Sequence, residues 1–362
     1  MVYRSAWNVR ILLSRTPFST DAVRRIRELC DERSFDVSYL PGVDLAGRKI
    51  WNDLPAVSFE AVGSGPGAER QDALANEIAA YALPGGKAWP ATYDLAPATN
   101  DRPHFYSVLK VTALDRILPR IDLVPREEIG TLVSLAVLAQ SVAIALMVLS
   151  LPLFRRRTMG MHGRIVAKSV IYFAGIGLGF LFIEIYLIEK ATYFLNDRTL
   201  GFSLTLATML LFSGVGSYVS GRFTGSLERT RVGVRVACIA ILMLCSLIFL
   251  FADALLPLGI AWPLAVKIVL LLLVIAPLGI ALGFPFAMGM SALRTHPQFV
   301  PWAWSLNGAF SVVASPLANL LSIGHGNRIL VACALAFYLL VWIWLPTPGS
   351  RAADAVAPVA AA

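Results

Sequence analysis

From residue 130 onward the chain alternates long apolar runs with short basic ones. The runs are Gly130–Phe154, Val166–Ile188, Leu200–Val219, Val232–Phe251, Pro263–Met290, Val300–Ser322 and Ile329–Leu345. Each approaches or exceeds the roughly 20 residues that carry a helix across a bilayer. The pattern predicts a polytopic bundle of about 7 transmembrane helices over 130–346. The sixth run is the most polar, and a re-entrant segment there would leave six crossings. The first 125 residues have a different rhythm. Val9–Ser14 suits a strand, and Ser19 can cap a helix with Phe18 and Val23 as its hydrophobic staple. Val23, Ile26, Leu29 and Cys30 make one apolar stripe on that helix. Phe35–Leu40 suits a second strand, which Pro41-Gly42 stops. A further helix is predicted over Glu69–Ala82, ending at Leu83-Pro84-Gly85-Gly86. The expected fold is mainly α: a helical membrane bundle preceded by a partial α/β soluble segment. The expected boundaries are a soluble part over 1–103, an interfacial linker over 104–129 and a disordered tail over 347–362.

Composition sharpens this division. The chain is 57% hydrophobic and 15% charged, with a mean hydropathy of +0.68, where a soluble domain carries roughly 25% charged residues. Residues 1–125 hold 15 Lys/Arg and 15 Asp/Glu; the rest hold 16 and 8, which supplies the whole net charge of +8. Those cations sit between apolar runs, so they read as loops flanking membrane helices and not as a nucleic-acid surface. Arg155, Arg156, Arg157, Arg164 and Lys168 share one predicted side with Arg222, Arg229, Arg231, Arg235, Arg294 and Arg351. The charge rule makes that side, with the C-terminus, cytoplasmic. Seven crossings would then put residues 1–125 on the other side.

Other motifs are weak. The 4 cysteines form no CxxC pair and the 4 histidines are scattered, so neither a metal centre nor a disulfide framework is expected. Residues 1–15 hold arginines within a short apolar stretch and do not read as a signal peptide. GSGPG at 63–67 follows no strand and has no lysine or acidic partner at the required distance, which argues against a phosphate loop.

The candidate chemistry lies among the helices. Glu184 interrupts GFLFIEIYLIEK, where an ionised carboxylate is costly unless paired, solvated or protonated. Gly175, Gly177 and Gly179 precede it and predict close helix packing, hence an interior position. It is read either as a carboxylate that meets a cation or proton, or as a group that pins two helices. Glu189 and Lys190 are expected to snorkel to the interface. In the third run Ser213, Ser217 and Gly221 repeat at the spacing of a close helix contact. In the sixth, Asn307, Ser311, Ser315 and Ser322 form a polar stripe, and Pro316 frees the carbonyl of Val312. Trp302 and Trp304 suit the headgroup level. Asn100, Asp101 and Arg102 are candidates for a membrane-face ligand contact, or for a turn that enters an interfacial helix.

Four segments in order, APATNDRPHFYSVLK (96–110), FAGIGLGFLFIEIYLIEK (173–190), APLGIALGFPFAMGM (276–290) and PWAWSLNGAFSVVAS (301–315), resemble the C-terminal half of bacterial membrane-bound spermidine-synthase-like proteins. The resemblance spans about residues 8 to 345. It implies a bacterial inner-membrane transferase with a Rossmann-like soluble part, using decarboxylated S-adenosylmethionine and a diamine. It also implies three features that do not occur here: a GGGDG-like cofactor loop, an acidic ribose-binding residue and an aspartate-rich amine loop. The usual TDDRP segment reads Thr99-Asn100-Asp101-Arg102-Pro103, with His104 where an aromatic is typical. No family catalytic residue therefore transfers to this chain. It is expected to bind no cofactor alone and to depend for any transfer on an N-terminal half or partner chain. A cytosolic cofactor also conflicts with a soluble part placed outside. The alternative readings are a polyamine or small-cation transport or binding module, and a structural anchor.

Overall fold

In the computed structural model, residues 1–5, 8–44, 49–52, 72–82, 94, 97–104, 108–124, 128–154, 163–294 and 297–346 are described. The GSGPG stretch, Leu83–Gly86, Arg155–Arg157 and the tail over 347–362 lie outside the described residues. Two compact units form: Met1–Ala96 with Val108–Glu128, and Pro97–Ser107 with Ile129–Ala362. The segment that holds Asn100, Asp101 and Arg102 thus belongs with the helices, and the stretch expected as a linker divides between the units.

The first unit contains a strand missing from the sequence reading. β1 (Val2–Arg4) lies between β2 (Val9–Ile11) and β3 (Asp36–Tyr39) and is antiparallel to both. α1 (Thr20–Glu32) joins the outer two strands. β2 and β3 are therefore parallel to each other but separated, a split β-α-β arrangement. Among the described residues, three short strands in this order do not establish a Rossmann-like sheet, which binds its ligand at the ends of adjacent parallel strands.

α1 begins where expected: the Ser19 hydroxyl accepts a hydrogen bond from the Ala22 N–H at 3.2 Å. Its predicted apolar stripe is only partly used, because Cys30 is buried while Leu29 is 37% exposed. Burial pushes the Cys30 thiol up to about 11, with the carboxylates of Asp31 and Asp36 adding to the effect. The predicted second helix is α2 (Ala73–Glu77), followed by a π turn over Ile78–Ala82. A single turn of α-helix, α3 (Leu114–Ile117), closes the unit around a small core of Leu109, Ala113 and Ile117.

A buried ion triad holds β1, β3 and α2 together. The Arg4 guanidinium lies 3.3 Å from Asp36 and 3.1 Å from Asp72, and donates to the Asn52 carbonyl at 2.6 Å. Ser38 donates to Asp72 at 3.0 Å, and the Ala75 N–H does so at 3.2 Å. Burial alone would raise the Asp72 carboxyl, but the Ala75 amide, Arg4 and Ser38 together hold it below the usual carboxylate value. A carboxyl whose folded pKa is depressed stabilises the fold above its unfolded value, near 3.9, and that contribution disappears as pH falls through the folded value. Amide exchange of β3 at fixed temperature is therefore expected to change little from neutral pH to about pH 5, once corrected for intrinsic exchange, and to lose protection below it. Constant protection down to pH 2 would contradict this role of Asp72.

The second unit is a bundle of α4 (Ile129–Phe154), α5 (Gly163–Leu195), α6 (Arg198–Ser220), α7 (Leu227–Leu255), α8 (Leu264–Ala292), α9 (Val300–His325) and α10 (Arg328–Ile343). Among the described residues, six helices are long and apolar enough to cross a membrane, which makes this an integral membrane protein. The short member is not the polar sixth run, which is one continuous helix of 26 residues, but α10, with 16. At 1.5 Å per residue α10 spans about 24 Å, against about 30 Å of hydrocarbon.

α5 is the central helix. Its apolar window is 67% buried, against 11–33% in the other five, and it touches α6, α8, α9 and α10. Its glycines explain this position. A Cβ on Gly177 would sit 2.7 Å from the Asn307 carbonyl of α9, and one on Gly179 would sit 2.9 Å from the Tyr338 ring of α10. α4 runs antiparallel to α9, fixed by the Trp302 indole donating to the Val148 carbonyl at 2.8 Å and by Asn319 donating to Ser134 at 2.8 Å. Trp302 is consequently buried, and of the two tryptophans only Trp304 is exposed.

Candidate functional site

The α5–α9 seam and one end of the bundle collect most of the polar side chains singled out in the sequence. Glu184 is 7% exposed, and its Oε1 has no hydrogen-bond partner among the described residues. It follows Gly177 by seven residues, so both lie on the side of α5 that meets α9. No cation pairs with Glu184 among the described residues. On α9, the Oδ1 of Asn307 is also buried without a partner among the described residues, and Ser311 donates to the Asn307 backbone carbonyl at 2.9 Å. Asn307 lies at the level of Gly177, which places Glu184 and Asn307 about 10 Å apart along the seam. They form two levels of one seam and not a single coordination shell. Ser315 departs from this picture: it is exposed, because a four-residue repeat drifts about 40° per step around a helix and carries the stripe off the seam. Ser322 is buried and turns to a different partner, described next.

Residues 97–104 seal the bundle end. Thr99 and Arg102 exchange two hydrogen bonds of 3.1 Å, which makes the tight turn that the Asn-Asp-Arg-Pro sequence favours. Asp101 caps α10 from outside that helix: its Oδ1 accepts from the Arg328 N–H at 2.9 Å and its backbone carbonyl accepts from the Asn327 N–H at 2.8 Å. A carboxylate there also complements the positive end of the helix dipole. Gly326 allows the approach, since its φ is +87° and a Cβ would meet Asp101 Oδ2 at 2.3 Å. Asn100 donates to the Tyr193 hydroxyl at 3.3 Å, and Arg102 donates to the Ile323 carbonyl at 3.5 Å. His104 Nε2 lies 3.2 Å from the Ser322 hydroxyl. Burial lowers the His104 pKa, and the nearby Glu189 carboxylate works against that shift. The three motif residues are therefore brought together, and their hydrogen bonds go to helix ends.

Next to this seal is an ion cluster that the sequence reading missed. Lys190 does not snorkel: it is 6% exposed and its ammonium lies 2.5 Å from Asp253 of α7. Asp253 also faces Arg328 Nε at 3.8 Å, and Arg328 donates to the Phe249 carbonyl at 3.1 Å with its guanidinium 4.3 Å from that ring. Among the described residues, the Tyr186 hydroxyl is buried without a partner within the field of Asp253, Arg328 and Asp101. One base and one acid near the C-terminal ends of their helices, Lys190 and Asp253, were the available signal. No periodicity links residues on different helices, so their pairing could not be read. No group of three or more potential metal ligands occurs among the described residues. No protein-family model, curated protein or solved structure matches the chain.

Proposed function

We propose that the helical unit binds a small organic cation of the polyamine class in the α5–α9 seam. The observation that carries this reading is Glu184: among the described residues, a buried carboxylate with no cation beside it and one oxygen without a hydrogen-bond partner. Such a group is costly in a membrane interior unless it meets a positive charge or takes up a proton. One ammonium group of such a ligand can meet Glu184, two turns along α5 from the close Gly177–Asn307 contact. The opposing α9 wall is made of small buried residues, Ala314 and Ala318.

The class of ligand agrees with the spermidine-synthase-like resemblance, and on that resemblance the membrane is the bacterial cytoplasmic one. Aminopropyl transfer, with decarboxylated S-adenosylmethionine as donor, rests on the resemblance alone. Calorimetry of the full chain in detergent, titrated with spermidine or putrescine, tests the binding proposal. Saturable binding is expected for the parent protein, weakened about tenfold or more by Glu184→Gln, since a hydrogen bond to a charged group contributes about 1.5–3 kcal/mol. Ser315→Ala should leave it unchanged. Absence of saturable binding by the parent protein would sink the proposal, and undiminished binding by the Gln variant would remove Glu184 from it.

A further inference from the structure

A second polar feature lies at the α5–α6 turn. A cavity of about 740 Å³ is lined by Thr192, Tyr193, Asn196, Asp197, Arg198 and Lys267, among others. Lys267, in the first turn of α8, is 7% exposed. Among the described residues its ammonium has no hydrogen-bond or ion-pair partner, and it stands over the Phe194 ring, 5.5 Å from the centroid. A cation on a largely buried side chain is less favourable without a counter-charge, and a ring face compensates only in part. Asp197 does not supply the missing charge, because its Oδ1 is turned to the Leu200 N–H at 2.9 Å as the cap of α6. Among the described lining residues, two cations and one committed carboxylate leave the cavity one positive charge in excess.

Directly beyond Lys267 begins an apolar groove of about 410 Å³ between α7 and α8, with Lys190 its one polar lining residue. Lys267, Leu270, Leu271 and Val274 lie on one stripe of α8, so cavity and groove are consecutive along that helix. The groove wall is open to the surroundings of the bundle: Phe251 is 49% exposed, Leu255 59% and Leu273 67%. Lys190 is already paired with Asp253, so the free charge of this face belongs to the cavity end.

We propose that cavity and groove together hold one anionic phospholipid, its phosphate on Lys267 and Arg198 and an acyl chain between α7 and α8. The unpaired ammonium of this largely buried side chain favours an anion, and the adjoining apolar groove favours an anion that carries a hydrocarbon chain. A soluble phosphate satisfies the first condition alone. The site is separate from Glu184 and does not depend on polyamine binding.

Native mass spectrometry of the full chain in detergent tests this, with phosphatidylglycerol or phosphatidylcholine added singly. Phosphatidylglycerol should be retained about tenfold more strongly than phosphatidylcholine, and Lys267→Met should remove that preference, the loss expected for one charge-assisted hydrogen bond. Val274→Trp fills the groove without touching the charge and should also lower phosphatidylglycerol retention. Inorganic phosphate at the same concentration should not displace the lipid. Equal retention of the two lipids by the parent protein would overturn the proposal, as would an unchanged preference in Lys267→Met. Displacement by inorganic phosphate would mark a soluble-anion site and overturn it too. If Lys267→Met does not elute as a folded species, Val274→Trp decides, and undiminished retention there overturns the proposal.

Discussion

Gly216→Ala is expected to disrupt the contact between α6 and α8, whereas Gly214→Ala, one short step along the same helix, is expected to be tolerated. A Cβ at Gly216 would stand 2.0 Å from the Ile280 carbonyl oxygen and 2.8 Å from its carbon. Both obstacles are backbone atoms, so no side-chain rotation relieves the clash and the helices must separate. Across the same interface, a Cβ at Gly283 would stand 2.1 Å from the Ser213 carbonyl and 2.8 Å from the Ser217 nitrogen. Overpacking of this kind costs about 1–3 kcal/mol, occasionally more, and the involvement of backbone on both sides places Gly216→Ala at the upper end. Gly214 has nothing within 4 Å of its would-be Cβ. There, alanine's better helix propensity, up to about 1 kcal/mol, is unopposed. Unfolding midpoints of the two variants in mixed micelles should differ clearly, with Gly214→Ala at or above the parent protein. Coincident midpoints would show that α6 and α8 adjust freely at this contact.

The same interface shows how far the sequence could be read. The four-residue repeat of Ser213 and Ser217 correctly marks the face of α6 that a neighbour approaches, because small residues at that spacing let backbones come close. The third member, Gly221, meets nothing within 4 Å, while Gly216 and Gly283 make the tightest approaches. The reason is that a close helix crossing needs a gap on one side facing backbone on the other. One chain segment shows the gap but not its partner. The apolar runs predicted the long helices because each span must satisfy its own backbone in lipid. They also made the seventh run, 17 residues over Ile329–Leu345, the shortest, and the helix ends two residues earlier still, at Ile343, because Trp344 and Leu345 are apolar yet not helical. Glu184 was legible as an interior carboxylate because the glycines before it fix which face packs. The cluster of Lys190, Asp253 and Arg328 was not, since it joins ends of three helices. β1 was missed because three residues at the chain start carry no alternation that can be measured.

Arg4 illustrates the same limit in the first unit, and it supports the other large expected effect. The side chain is 1% exposed, between Asp36 at 1% and Asp72 at 2%. It also ties β1 to the residues after β3 through the Asn52 carbonyl. Replacing it with methionine preserves most of the volume but leaves two carboxylates buried without their cation. Breaking a buried ion pair by removing one partner costs about 3–5 kcal/mol, mostly as the penalty on the charge left behind. Amide exchange of residues 36–39 in the full chain should therefore accelerate strongly in Arg4→Met, while the helices of the second unit keep their protection. The effect should depend on pH in a defined direction. Arg4 helps to hold Asp72 below its usual pKa, so its stabilising contribution is present above the unfolded carboxylate value and is lost as the acids protonate. The gap between parent and variant should narrow as pH falls from 7 toward 4 and below, because a neutral acid no longer needs the guanidinium. A gap independent of pH would mean that Arg4 acts through packing and its hydrogen bond to Asn52, and not through the two carboxylates.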